Sequence, residues 1–354
     1  MMQKGQGAQI NPKNKFEKFD IEPEDEYLNY LDREGEEQVA RTEIIETYPK
    51  TIVNKVPSPD VPMDWSINPY QGCEHGCAYC YARPTHEFWG YSAGIDFERK
   101  ILVKKNATEL LEAKLRSRNW KAEPIMFSGN TDCYQPIERK LEITRKCLEV
   151  MHRYKNPVGI ITKNALIQRD IDVLEEMQAY DLVHVVMSIT TLNEELRRVM
   201  EPRTGSVKMK LQTIEKLTDK GIPVSVNMAP IIPGLNSHEI FDLLSAVKDA
   251  GARNANYIFV RLNGPVGEVF THWLNQVFPD RASKVLNQIA EAHDGSIKDS
   301  RFGTRMKGTG TMADQVRDTF KLARQKIFGD VTNVNLSSDH FVKVDTSVQL
   351  NLFG

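Results

Sequence analysis

The sequence predicts an α/β fold, a closed or partly closed barrel of parallel strands, and three observations predict it. Six short apolar runs succeed one another from about residue 65. Amphipathic runs with apolar residues three and four apart lie between them, as helices crossing over between parallel strands require. Polar residues follow almost every apolar run, as Ser128-Gly129-Asn130-Thr131, Thr162-Lys163-Asn164 and Ser188-Ile189-Thr190-Thr191 do. A doubly wound sheet also satisfies the first two observations. A barrel fits better because it gathers those polar residues at one rim, where such folds build sites.

In chain order, residues 1–60 read as an extension. Between Glu17 and Glu37 there are ten acidic residues against two basic ones, which reads as a solvated tail, with a cover over the domain as the alternative. Pro57, Pro59 and Pro62 stiffen the approach to Trp65. The strand signals are Ser66–Tyr70, Pro124–Phe127, Val158–Ile161, Leu182–Ile189, Pro223–Met228 and Asn256–Leu262. The helical patterns between them are Thr108–Arg118, Glu138–Tyr154, Gln168–Tyr180, Val207–Asp219 and His238–Ala250. Ile143, Cys147, Leu148 and Met151 illustrate the helical spacing. After residue 265 the pattern turns helical, over Val266–Phe278, Arg281–Ala292 and Met312–Ile327, interrupted by the Gly-rich basic stretch from Arg301 to Gly310. The tail from Gly329 is expected to be loose or paired at an edge. The domains are therefore residues 1–60, a core of 61–265, and a C-terminal helical extension with tail over 266–354.

Composition narrows the function classes. The 354 residues are 40% hydrophobic and 27% charged, with a net charge of -2, which is globular and lacks the basic coat of a general nucleic-acid binder. No run of 18 apolar residues and no apolar leader core is present, so a cytoplasmic protein without a membrane partner is expected. The five cysteines are an odd number, against a disulfide framework, and Cys73, Cys77 and Cys80 fall within eight residues.

Those three lie in Gly72-Cys-Glu-His-Gly-Cys-Ala-Tyr-Cys80, a C-x3-C-x2-C spacing in which Gly72 and Gly76 permit a tight backbone. A zinc-stabilised binding module would need a fourth ligand, His75 being the nearest. A [4Fe-4S] cube offers four irons, so three cysteines leave one open for a small molecule. An electron-transfer or structural iron–sulfur protein would close that iron with a fourth protein ligand, His75 or Cys133.

The match at Cys73, Cys77, Tyr79 and Cys80 resembles the signature of the radical S-adenosylmethionine (SAM) superfamily, Cys-x3-Cys-x-aromatic-Cys. The surrounding text, GCEHGCAYCYARPTHEF, is similar to a subgroup related to spore photoproduct lyase and often labelled DNA-repair photolyase-like. The resemblance implies a partial (βα)6 barrel of the TIM type. It also implies a [4Fe-4S] cluster on the three cysteines, SAM chelated at the open iron, and an electron from a donor such as flavodoxin or ferredoxin. The product is a 5'-deoxyadenosyl radical that abstracts hydrogen from a substrate, with nucleic acid among the candidates.

Carried onto this chain, the family pattern puts Tyr79 near adenine or cluster. Gly129, Asn130, Thr131 and Asp132 stand at the site of the methionine amino group, although the usual two-glycine form is absent. Ser188 and Arg203 match positions that hold ribose and carboxylate groups, and Ile231, with Ile232, the loop that packs on adenine. Lys163 is as well placed for substrate. Cys133, at the presumed rim, is the candidate hydrogen donor, although no motif carries that role over.

Overall fold

The computed structural model describes residues 5–16, 42–331 and 334–343. The acidic Glu17–Glu37 stretch and the last eleven residues lie outside them. The strands are β1 (Glu43–Thr47), β2 (Val53–Lys55), β3 (Trp65–Ile67), β4 (Tyr70–Gln71), β5 (Lys100–Lys104), β6 (Ile125–Phe127), β7 (Val158–Thr162), β8 (Val183–Ser188), β9 (Val224–Ile231) and β10 (Asn254–Phe259). The helices are α1 (Ile95–Arg99), α2 (Ala107–Arg116), α3 (Glu138–Leu141), α4 (Ile143–Tyr154), α5 (Ile171–Gln178), α6 (Glu194–Met200), α7 (Val207–Asp219), α8 (Ile240–Asp249), α9 (Pro265–Val277), α10 (Pro279–Glu291) and α11 (Gly310–Phe328).

Six strands, β3, β6, β7, β8, β9 and β10, pair in parallel in that order, with β2 antiparallel on the edge beside β3. They form a partial (βα) barrel with N- and C-terminal extensions. Strands β7, β8 and β9 are almost continuously buried because helices cover one face and the core fills the other. The register Val158↔Val183 and Val185↔Val224 places valine beside valine across the centre. Helix α4 turns Cys147, Leu148, Met151 and Tyr154 into this core. Ser206 caps α7, its Oγ accepting from Met209 N at 3.2 Å.

Several elements depart from the expectations. The helix expected over Glu138–Tyr154 breaks at Glu142, which takes φ 55°. The buried Glu138 carboxylate accepts from Thr144 N at 3.1 Å and so begins a new helix there. A second sheet, in the order β1-β5-β4, was not foreseen. Residues 334–343 make no strand. They lie across the turns after α4 and α5, with Ser337 N on Asp181 O and Val342 N on Tyr154 O. No helix among the described residues is long and apolar enough to cross a membrane.

Candidate functional site

The carboxyl ends of the parallel strands open into one cavity of about 760 Å³. Ser128–Asp132 enter it after β6, Thr162 and Lys163 at the end of β7, Ser188 from β8, Asn227, Ala229 and Pro230 from β9, and Phe259–Arg261 from β10. Cys73, Cys77 and Cys80 line its wall, on the loop between β4 and the 3₁₀ segment Arg83–Trp89.

That loop is held by a dense set of bonds. Gly72 and Gly76 take φ of 78° and 64°, and an added Cβ would stand 2.7 Å from Lys100 O and Glu98 Oε2 respectively. Arg83 is fully buried and donates to Cys77 O from Nε and Nη2, at 3.1 and 2.8 Å. Its Nη1 donates to Ala93 O and Gly94 O, and Nη2 reaches Glu98 Oε1 at 2.5 Å. Glu98 in turn accepts from Gly7 N and Ala8 N, at 3.2 and 2.7 Å. The start of the chain thereby lies on the cysteine loop, close enough that a Cβ on Gly7 would stand 1.8 Å from Gly76 O.

His75 is fully engaged. Nδ1 lies 3.4 Å from Asp132 Oδ2, and Nε2 lies 3.1 Å from Asn164 Nδ2. Burial lowers its pKa against the pull of Asp132, so the imidazole is neutral, with Nδ1–H donating to Asp132. Asp132 also accepts from Thr162 Oγ1 and Lys163 N, both at 2.8 Å, and from Tyr134 N at 2.9 Å. It ties the cysteine loop to β7.

Beneath the loop is an ionic network that the sequence reading missed. Glu201 is fully buried, with Lys210 Nζ at 3.1 Å, Lys163 Nζ at 3.3 Å and Thr190 Oγ1 donating at 2.5 Å. The Tyr79 hydroxyl also donates to Glu201. Burial would raise the carboxyl pKa, but Lys163 and Lys210 overcome it and hold it well below the ordinary value. Lys210 is itself buried, which pulls its pKa down. A signal existed: Lys210, Thr213, Ile214 and Leu217 form the buried stripe of α7, and a lysine on such a stripe demands a buried carboxylate.

The other sequence candidates separate into two groups. Tyr79, Gly129, Asn130, Thr131, Asp132 and Ser188 line the cavity. Asn130 N is fixed by Asn68 Oδ1 at 2.9 Å, and Thr131 Oγ1 donates to Tyr70 O at 2.7 Å. Cys133, Arg203 and Ile231 do not line it. The Cys133 residue is fully buried in the core, its N–H held by Ser128 Oγ at 2.9 Å, and burial pushes its thiol pKa far up. Arg203 donates from Nε to Gly5 O at 2.9 Å, and Ile231 is buried beside Phe259. Tyr81, Asn68, Thr85, Asn227 and Arg261 line the cavity without having been singled out.

The donor chemistry of the three thiols fits a cationic metal centre. All three thiols are pushed up by burial, so a cationic centre is what would stabilise their thiolates. No three His, Cys, Asp or Glu side chains among the described residues meet at single-ion distance. Zinc would draw its ligands to one ion, whereas each thiolate on a cube would ligate its own iron.

Comparison with known proteins agrees with this construction. Residues 67–247 match the model of the Radical SAM superfamily. An uncharacterized protein of Mycobacterium tuberculosis is 32% identical over 238 residues, 66% of this chain and 70% of that one. An uncharacterized protein of Methanocaldococcus jannaschii is 26% identical over 251 residues, 71% of this chain and 90% of that one. Spore photoproduct lyase complexed with dinucleoside spore photoproduct superposes with a TM-score of 0.58 at 17% identity, covering 81% of this chain and 80% of that one, a likeness of fold. On these grounds the chain belongs to the radical SAM superfamily, an enzymatic family.

Proposed function

We propose that Cys73, Cys77 and Cys80 hold a [4Fe-4S] cluster with one iron open to SAM, and that a substrate enters the same cavity. The observation that carries this reading is that three cysteines, Cys73 and Cys77 buried and Cys80 partly so, share one cavity with the polar ends of five parallel strands. When bound, the cluster and SAM supply reductive cleavage of the sulfonium to methionine and a 5'-deoxyadenosyl radical, which takes hydrogen from the substrate. The protein binds and shields. Arg83 and Glu98 fix the backbone of the cysteine loop. Gly129, Asn130, Thr131 and Ser188 offer polar groups suited to the amino acid and ribose parts of SAM. Lys163, between Glu201 and the cavity, offers a cation to a carboxylate.

A closed electron-transfer cluster is disfavoured, because both His75 nitrogens are engaged and Cys133 does not line the cavity. Flavodoxin or ferredoxin would suit as electron donor. Nucleic acid is one candidate substrate, since the similar lyase fold was solved with a dinucleoside spore photoproduct.

The test is anaerobic reconstitution with iron and sulfide, then dithionite and SAM, with 5'-deoxyadenosine measured by mass spectrometry beside Cys77→Ala. Product from the wild type alone is expected. An intact four-iron cluster that fails to bind SAM would refute the reading.

A further inference from the structure

The lining of the cavity carries cations that the reading above does not use. Arg261 follows β10, Arg305 lies in the loop before α11, and Lys55 ends β2. Arg305 is satisfied, with Nε on Asp60 Oδ2 at 2.5 Å and Nη2 on Ser58 Oγ at 2.7 Å. Asp60 also accepts from Gly303 N at 2.7 Å, so its carboxylate is occupied. Asp299, the other carboxylate whose field reaches Arg261, is held by Arg301 at 2.9 and 3.0 Å and lies 3.3 Å from His293 Nδ1.

Arg261 has no ion pair and no hydrogen bond among the described residues. Its guanidinium sits over the Tyr81 ring, 5.6 Å from the centroid. Burial and the neighbouring Arg305 charge both lower its pKa. Tyr81 follows Cys80 directly, and its hydroxyl donates to Gly129 O at 3.0 Å. The ring that carries Arg261 therefore bridges the cysteine loop and the loop after β6. A half-buried guanidinium that no protein acceptor engages is available to an anion entering the cavity. Its planar fork suits the two oxygens of a tetrahedral oxyanion. Asp60 is paired with Arg305 and Asp299 with Arg301, which leaves Arg261 and Lys55 as the two lining cations without a carboxylate partner among the described residues, and a dianion matches that charge better than a monoanion.

We infer that Arg261 anchors a phosphomonoester of the substrate, with Lys55 and Arg305 supplying the surrounding positive field. This rests on the radical SAM reading of the same cavity. It favours a phosphorylated metabolite or a nucleotide end over an internal phosphodiester.

The test is equilibrium dialysis of the reconstituted, SAM-loaded protein against radiolabelled orthophosphate, with dimethyl phosphate and acetate as competitors. Wild type should bind one phosphate, and Arg261→Gln should weaken it at least about tenfold, the scale of one charge-assisted bidentate contact. Arg261→Lys should keep part of the affinity, and Arg198→Gln, on the exposed side of α6, all of it. Equal binding by wild type and Arg261→Gln would overturn the inference. So would competition by dimethyl phosphate or acetate as strong as that of unlabelled phosphate. Parallel loss of SAM and phosphate binding in Arg261→Gln would also overturn it, by assigning the residue to the cofactor. Phosphate binding by a reconstituted protein whose intact cluster fails to bind SAM would support the subsite while removing the radical reading.

Discussion

Replacing Lys210 by Met tests the ionic network under the cysteine loop. The substitution keeps the apolar stem on the buried stripe of α7 and removes the cation 3.1 Å from Glu201. Breaking a buried pair by deleting one partner costs about 3–5 kcal/mol, because the other charge stays buried and uncompensated. Glu201 retains Lys163 at 3.3 Å and the hydroxyls of Thr190 and Tyr79, which puts the cost at the lower end. About 3 kcal/mol, at about 2 °C per kcal/mol for a large domain, lowers the melting midpoint by about 6 °C. Differential scanning calorimetry of wild type and Lys210→Met gives that shift. The double variant Lys210→Met/Glu201→Gln should recover at least about half of it, since neighbours in one network do not add. A midpoint in Lys210→Met within about 1 °C of wild type would refute the account, because it falls outside any buried-pair estimate.

Two further predictions concern the same region. The Glu201 carboxyl is held below its ordinary value of 4.5, burial being overcome by Lys163 and Lys210, so its folded pKa lies below its unfolded one. Its stabilisation is then full above the ordinary value and lost as pH falls below it. The midpoint of Glu201→Gln should therefore fall less steeply with acid than that of wild type, and parallel pH curves would contradict the assignment. Gly7→Ala places a Cβ 1.8 Å from Gly76 O and 2.9 Å from Ala78 N, both backbone atoms that cannot swing aside. It should strip hydrogen-exchange protection from the Gly7 and Ala8 amides and lower iron retention; unchanged exchange rates would count against the packing described.

The barrel was legible because each parallel strand is an apolar run bounded by polar residues, as Val158–Thr162 is by Lys163 and Asn164. Strand β1 was missed because its residues are mostly exposed, and β5 because only Ile101, Leu102 and Val103 are buried between lysines. The cysteine spacing was visible as local text. The Glu201 network was not, since Tyr79 and Glu201 stand 122 residues apart and nothing local pairs them. In Glu201-Pro-Arg203 the guanidinium attracted the ligand role, whereas the fold buries the carboxylate and turns Arg203 onto the Gly5 carbonyl. Cys133 is the opposite case. It lies near the rim in sequence, but its N–H bond to Ser128 belongs to a turn that sends the residue into the core.

The latch from Glu98 to Gly7 and Ala8 bears on where this protein can be cut. By strand count the barrel begins at β3, and a fragment trimmed to residue 61 would keep all six of its parallel strands. It would also remove both backbone donors from a fully buried carboxylate, leaving Glu98 with Arg83 alone. The sequence boundary of the barrel is therefore not its boundary in space. A minimal fragment should retain the opening residues, or receive them back as a separate peptide.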